Sequence, residues 1–243
     1  MKLIMPMAGN GQRFFDDGYD LPKPLIDIKG KPMFKRVIDN LKVDVEPVCI
    51  VRQDHVNDYE IDKKIIEHQP NAKIVIVPGL TEGAACTVRL AASVLNTDPM
   101  MVANCDQLMV WNSDEFYDLA KANAYTGGLI PTFISDNPEP KHSYIEISPL
   151  HDVLRVYEKQ KVSNVATVGV YYFQSEADWC NAHEDQMKAN DRTNNEFYLA
   201  PTYNYLKGNI GHFQIDEMLG MGTPEELEEL KQSEWWDKLD EIS

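Results

Sequence analysis

Lys2-Leu3-Ile4-Met5-Pro6-Met7-Ala8-Gly9-Asn10-Gly11-Gln12-Arg13 is the stretch that decides the architecture. Residues 2–8 read as one strand, apolar from Leu3 onward, and then break at once into two glycines separated by a single residue. An apolar run of that length without alternation reads as a strand covered on both faces. Working outward, Phe34, Val37, Ile38 and Leu41 fall at i, i+3, i+4 and i+7, which predicts a helix. Strands are predicted at 48–51, 74–77 and 100–103, with helices at 61–68 and 84–95 between them. Strands alternating with helices imply an α/β fold with a largely parallel sheet. The second half changes character: strand candidates at 127–134, 143–147, 153–158 and 166–173 are separated by turn residues, implying mixed or antiparallel pairing. Helices are predicted at 176–189 and 197–206, a last strand at 212–215, and an acidic helix and tail from Pro224 onward. No internal repeat or linker-like segment interrupts the chain, so a single domain is expected.

Composition narrows the classes. The chain has 243 residues, 39 acidic and 23 basic, for a formal charge of −16. Its 43% apolar and 26% charged fractions are those of a globular protein. No apolar stretch reaches the ~20 residues that cross a bilayer, so no membrane association is expected. Residues 1–8 are too short for a signal h-region and run into the glycine loop instead of a cleavage site, which predicts a cytoplasmic protein. Cys49, Cys86, Cys105 and Cys180 lack metal-ligand spacing and read as reduced core thiols. The charge is uneven: residues 1–36 carry seven Lys/Arg against four Asp/Glu, and residues 213–243 carry two against ten. So acidic a chain repels a phosphate backbone, which excludes nonspecific nucleic-acid binding; an anionic ligand needs a local basic cluster, and the N-terminal segment supplies one.

Four segments carry chemistry. Gly9 and Gly11 let backbone N–H groups converge on an anion, and Arg13 adds a forked charge. A ligand-free glycine turn would look the same. The dinucleotide fingerprint fails for want of a third glycine and an immediate helix, and the Walker pattern fails because Gly30-Lys31 precedes proline. In Leu21-Pro22-Lys23-Pro24-Leu25, flanking prolines predict an extended backbone that aims the Lys23 ammonium, unless it is an ordinary surface lysine. Asn104-Cys105-Asp106-Gln107 ends a buried strand, where ligand crevices of open α/β sheets lie; Asp106 there either binds Mg²⁺ beside phosphate oxygens or caps the next turn. Glu158-Lys159 ends a strand and could hold hydroxyls and a phosphate, or be an exposed strand end. The six histidines show no metal or nucleophile–base spacing. Trp235-Trp236 is expected to pack the last helix onto the body or onto a second copy, which leaves a homo-oligomer open.

Together these segments resemble the sugar-phosphate nucleotidyltransferases: the nucleotide-sugar pyrophosphorylases and their cytidylyltransferase relatives, most closely the subgroup of capsule and surface-polysaccharide synthesis. The resemblance runs through Ile4 to Arg13, Leu21 to Ile26, Gly30-Lys31-Pro32-Met33, Thr81-Glu82-Gly83-Ala84-Ala85 and Asn104-Cys105-Asp106. It continues through Glu158-Lys159 with Ala166 to Phe173, Asn195-Glu196-Phe197-Tyr198, and Gly222-Thr223-Pro224-Glu225-Glu226-Leu227. It implies a single-domain Rossmann-like, glycosyltransferase-A-like fold, with a central mixed, mostly parallel sheet flanked by helices. Residues 1–110 would form the nucleotide-binding half, 111–222 the acceptor-binding half and 223–243 the acidic C-terminal segment. It further implies that Ala8, Gly9, Asn10, Gly11, Gln12 and Arg13 wrap a nucleoside triphosphate, that Lys23 contacts the reacting phosphates with Arg13, and that Glu82 and Gly83 lie beside the base. Asp106 would hold Mg²⁺, while Asn104, Glu158, Lys159 and Glu196 would receive a phosphorylated small-molecule acceptor. One departure stands out. Relatives carry an aspartate two residues before the Gly-Thr of the closing motif as a second metal ligand, and this chain has Gly220, with Asp216 and Glu217 the nearest carboxylates in sequence. The implied reaction is in-line attack of an acceptor phosphate on the α-phosphorus with loss of pyrophosphate, which needs charge neutralisation and no general base. Two other readings remain: a glycosyltransferase consuming a nucleotide sugar, against which Asn104 stands at the first place of a DxD pair, and a noncatalytic nucleotide-sensing subunit, favoured by Gly220.

Overall fold

The computed structural model describes residues 1–122 and 124–243. The opening apolar run becomes β1 (Lys2–Pro6), with Leu3, Ile4 and Met5 wholly buried. After the glycine loop come α1 (Gln12–Asp16), a small hairpin of β2 (Asp27–Ile28) and β3 (Lys31–Pro32), and α2 (Met33–Leu41). The first half continues as β4 (Pro47–Arg52), α3 (Gln53–Tyr59), α4 (Ile61–His68), β5 (Lys73–Val77), α5 (Ala84–Arg89) and β6 (Met100–Ala103). The predicted helix at 84–95 stops at Arg89 although its apolar spacing continues. The buried Glu176 carboxylate accepts from the Ser93 N–H at 2.7 Å and the Asn96 amide at 2.5 Å, pinning this stretch as a loop and leaving Leu90 and Leu95 exposed.

The second half comprises β7 (Gln107–Val110), α6 (Ser113–Lys121), β8 (Gly128–Ile134), β9 (Ser143–Ile147), β10 (Val153–Glu158), β11 (Val165–Thr167), β12 (Val170–Phe173) and α7 (Glu176–Lys188). A 3₁₀ segment Ala200–Tyr205, β13 (Ile210–Gln214), β14 (Glu217–Gly220), α8 (Pro224–Gln232) and α9 (Trp235–Ile242) complete it. The helix predicted at 197–206 is only that 3₁₀ segment, because Pro201 supplies no N–H and the Thr202 hydroxyl donates to the Leu199 carbonyl at 2.6 Å.

The ten-stranded sheet is mixed: β6, β1, β4 and β5 are parallel neighbours, while β12 runs antiparallel between β6 and β8. Following the pairings outward, seven strands (β1, β4, β5, β6, β8, β9, β13) point one way and three (β10, β11, β12) the other. Its two faces are covered separately. Leu3 and Met5 join α2, α4, α6, α8 and α9 on one side; Ile4 joins α5, α7 and the 3₁₀ segment on the other. The acidic C-terminal segment is thus two docked helices, with Leu227, Leu230 and Leu239 buried and Trp235 and Trp236 packed on the body.

Two features position the site. First, the strand predicted at 166–173 is broken. Thr167 faces Thr132 and Tyr172 faces Leu129 on β8, so four residues intervene on one side against two on the other, with Gly169 at φ +89° in the break. The outer edge of this split run pairs with β6 through β12 and with β9 through β11. β6 and β9 therefore lie end to end in the same direction, and the sheet opens between them. Second, β7 and β14 form a separate antiparallel ribbon whose register sets Gly220 against Gln107. Asn40 of α2 anchors it by donating its amide to the Met109 carbonyl and accepting from the Met109 N–H, both at 2.8 Å.

Candidate active site

Two cavities lie at the carboxyl ends of β1 and β6 and meet at Asn104. One, about 180 Å³, is lined by Gly9, Gly11, Lys23, Pro24, Cys105 and Asp106. The other, about 230 Å³, occupies the opening between β6 and β9, lined by Gln107, Lys141, His142, Glu158, Lys159 and Tyr198 among others. The sheet break makes this second chamber: a Cβ at Gly169 would lie 2.3 Å from Gln107 Oε1 and 2.7 Å from Asn104 Nδ2, so only glycine lets those amides close over the main chain.

In the smaller cavity Gly11 adopts the left-handed conformation (φ 61°) and backs onto Lys23, whose Cβ lies 3.5 Å from where a side chain on Gly11 would begin. Lys23 is not extended, as its flanking prolines predict. It opens a 3₁₀ turn closed by Leu25 N–H to Pro22 O (2.8 Å) and Ile26 N–H to Lys23 O (3.1 Å), with Pro24 and Leu25 drawn into the core. The turn aims the ammonium at Asp106, with Nζ 2.6 Å from Oδ2. Burial by itself would lower the lysine's pKa, but the Asp106 carboxylate, and more weakly Glu226, raise it above its usual value, so the cation is permanent. Burial pushes the neighbouring Cys105 thiol up to about 12, which keeps it neutral. Asp106 is 8% exposed, and its Oδ1 is buried without a hydrogen-bond partner. It is no turn cap. A buried anionic oxygen left unpaired is costly unless a cation completes it, and a hard oxygen donor suits a hard cation. Among the described residues no three His, Cys, Asp or Glu side chains gather to hold a metal alone.

The head of α8 packs beside Asp106. Thr223 caps the helix, its hydroxyl accepting the Glu226 N–H at 3.2 Å, and the Met221 N–H donates to the Asp106 carbonyl at 2.8 Å. A Cβ on Gly222 would sit 3.0 Å from Asp106 Oδ2 and 3.1 Å from Glu226 Oε2. The side chain of Glu226 therefore faces Asp106, which sequence reasoning missed because the two lie far apart along the chain. Glu217 instead accepts from Trp235 Nε1 at 2.7 Å, and Asp216 is exposed beside it.

The other expected residues disperse. Gly9 lines the cavity, whereas Ala8 is buried behind it, Asn10 accepts from Arg52, and Gln12 donates to Asp16. Arg13 is exposed. Glu225 is held below the usual range first by the N–H groups and the Thr223 hydroxyl at the head of α8, then by the charges of Arg13 and Lys141. Glu82 is exposed and pairs with Arg192, whose guanidinium lies 3.9 Å from the centroid of the Phe197 ring. Gly83 (φ +129°) is required by the chain itself: a Cβ would meet the Phe197 carbonyl oxygen at 2.5 Å and nitrogen at 2.6 Å.

In the larger chamber Lys159 takes the left-handed conformation, unusual for lysine (φ 52°), fixed by its N–H bond to the His142 carbonyl. Its ammonium bonds Tyr198 Oη at 2.9 Å. Glu158 is 7% exposed and accepts from Ser143; burial raises its pKa against the opposing effects of Ser143 and Lys159. Glu196 stands outside the chamber lining, in the exposed turn that pairs with Thr193. Lys141 and His142 carried no sequence signal, because the loop before β9 has no motif. Tyr198 lay inside the Asn195 to Tyr198 segment.

The sequence profile of the Nucleotidyl transferase family matches residues 2–207. The chain is 28% identical over 179 residues to the bifunctional protein GlmU of Methanococcus maripaludis, a match covering 72% of this chain and 40% of that protein. It is 26% identical over 179 residues to the mannose-1-phosphate guanyltransferase of Aspergillus oryzae, covering 70% of this chain and 49% of that one. The matched region thus spans two-fifths to half the length of these curated relatives. The fold superposes on the nucleoside-diphosphate-sugar pyrophosphorylase of Vibrio cholerae RC9 with a TM-score of 0.80, covering 95% of this chain and all of that one at 21% identity. With the family profile spanning most of a sheet whose strand ends carry a glycine loop, a fixed lysine and a buried aspartate, the chain belongs to the nucleotidyl transferase family.

Proposed function

We propose that the protein transfers a nucleotidyl group from a nucleoside triphosphate to a sugar phosphate or related phosphorylated polyol, releasing pyrophosphate. The observation that carries this reading is the meeting of the two cavities at Asn104, one provided with a glycine loop, Lys23 and Asp106, the other with Lys141 and Lys159. The triphosphate would occupy the first, in the half formed by residues 1–110, with its base toward Glu82 and Gly83. The phosphorylated acceptor would occupy the second, built mainly from residues 111–222, with its hydroxyls on Glu158 and on Asn104 of the other half.

An acceptor phosphate oxygen attacks the α-phosphorus in line; the new P–O bond forms as the bond to the β-phosphate oxygen breaks. Repulsion between anions is the main barrier, and the chain opposes it locally despite its −16 charge. Lys23 presents its permanent charge to the reacting phosphates, Arg13 reaches from α1 toward the outer phosphates, and Lys159 and Lys141 draw in the acceptor. An acceptor phosphate is already ionised near neutral pH, so no side chain need take a proton. Mg²⁺ fits the buried, unpaired Oδ1 of Asp106, and when bound it supplies positive charge against the triphosphate oxygens.

Substrates of this kind and four free cysteines are in keeping with the cytoplasm, and the resemblance to capsule-synthesis enzymes suggests a nucleotide sugar for surface polysaccharide as the product. Among the described residues no helix is long and apolar enough to cross a membrane. The test is pyrophosphate release with Mg²⁺, each nucleoside triphosphate and a panel of sugar and polyol phosphates. Release that needs both substrates supports the reading. Breakdown of nucleotide sugars without pyrophosphate chemistry would replace it with glycosyl transfer.

A further inference from the structure

Granting the metal-assisted reading just given, we propose that Glu226 is the second protein ligand of the divalent cation, standing in from the head of α8 for the carboxylate that position 220 lacks. The distances from the Cβ position at Gly222 to Asp106 Oδ2 and Glu226 Oε2, 3.0 and 3.1 Å, place the two oxygens no more than 6.1 Å apart. Two bonds of about 2.1 Å span at most about 4.2 Å, so rotation of the two side chains has up to about 1.9 Å to close before a hard cation bridges them. The volume in front of Gly220 is taken by the same residue: a Cβ there would lie 3.1 Å from both Cδ and Oε2 of Glu226. A carboxylate thus fills the place where the strand provides none.

A structural role alone accounts for less of this arrangement. In a Thr-x-x-Glu capping box the glutamate side chain returns to the N–H of the capping residue. Here the Thr223 half of the box is present, but Glu226 Oε2 accepts from Gly222 N–H at 2.9 Å, one residue beyond the cap. That extra reach brings the carboxylate near the Asp106 side chain, whose Oδ2 is held by Lys23 and whose Oδ1 is buried and unpartnered. The charges agree. Lys23 pairs with Asp106, while Glu226 accepts from a backbone N–H, so one formal negative charge is left for a cation to balance. Two protein carboxylates, with phosphate oxygens and waters completing the shell, is the usual provision for Mg²⁺.

The experiment titrates the full chain with Mn²⁺ alone and counts free ion by its electron paramagnetic resonance signal. Wild type is expected to bind one Mn²⁺, with Glu226→Gln weakening it at least about tenfold while still offering an oxygen to Gly222 N–H. Thr223→Ala, which removes the helix cap and keeps the carboxylate, should bind as wild type does. Glu226→Ala should lose the ion, and Glu226→Ala combined with Gly220→Asp should regain it, the carboxylate having moved from helix to strand. Equal Mn²⁺ binding by wild type, Glu226→Gln and Glu226→Ala overturns the proposal and leaves the transferase reading standing. Failure of wild type to bind Mn²⁺ overturns the proposal and leaves the metal to arrive with the triphosphate.

Discussion

Replacing Lys23 by methionine should cost stability as well as activity, although a lysine between prolines looks like a free surface cation in the sequence. The ammonium is 2.6 Å from Asp106 Oδ2, and the two side chains keep only 25% and 12% of their surface in solvent. Because Asp106 Oδ1 has no partner, Lys23→Met leaves a buried carboxylate with neither oxygen bonded. Breaking a fully buried pair costs ~3–5 kcal/mol, and the partial exposure of Lys23 brings this to about 2–3 kcal/mol. With a urea m-value of ~3 kcal/mol/M for a chain of this size, the midpoint should fall by about 0.7–1 M. Asp106→Asn combined with Lys23→Met removes both charges, so the double variant should be more stable than the sum of the single losses implies, by ~1–3 kcal/mol. The sign of the pH dependence follows from the raised lysine pKa: the stabilisation is whole below the unfolded-chain value of ~10.4 and is lost only as pH rises through the higher folded value. Neutral-pH urea curves therefore read the intact pair. Additive losses, or a Lys23→Met midpoint within 0.2 M of wild type, would refute the pairing. In pyrophosphate release the same variant should fall about a hundredfold, the loss of a positioned cation.

Gly83→Ala should destabilise by about 3 kcal/mol, from Cβ overlap with the Phe197 backbone added to a φ of +129°, and a urea midpoint like wild type would contradict that packing. Lys159→Ala should raise the acceptor KM about tenfold and leave the triphosphate KM near wild type; an equal rise in both would move Lys159 off the acceptor side. Glu158 has a raised pKa, so the folded state holds its proton more tightly than the unfolded chain. Stability must fall as pH rises from ~4.3 through the higher folded value. Glu158→Gln should flatten that part of the melting-temperature profile, and an unchanged slope would refute its burial as the cause.

What was legible in the sequence was whatever depends on neighbours in the chain. The apolar run before Gly9, the 3.6-residue spacing around Phe34 and the β-branched run of β5 each announce their element locally. The helix predicted at 84–95 went too far because Glu176, far along the chain, claims the loop's N–H groups. The break at Gly169 depends on register against β8, which composition does not encode. The same division runs through the site. Lys23, Asp106, Glu158 and Lys159 stand at strand ends or fixed turns and could be named, whereas the approach of Glu226 to Asp106 needs the β7–β14 ribbon to bring residues 107 and 220 together. Lys141 and His142 reach the chamber only because β9 begins there.

On the proposed reading, the opening between β6 and β9 would also limit how the acceptor can change. A groove lying on a sheet can be widened side chain by side chain, but a gap within a sheet has main chain for its floor and strand ends for its walls. Its length is set by how many residues of β11 and β12 lie unpaired between two hydrogen-bonded ladders. Shifting one ladder by a single residue would turn every side chain of β9 to the opposite face, so only even shifts keep the core intact, in steps of about 6.6 Å. If the chamber holds the acceptor, those differing by roughly one sugar ring would be the increments this architecture accommodates by re-registration. Finer discrimination falls to the residues at the rim, which can diverge without disturbing the nucleotide side.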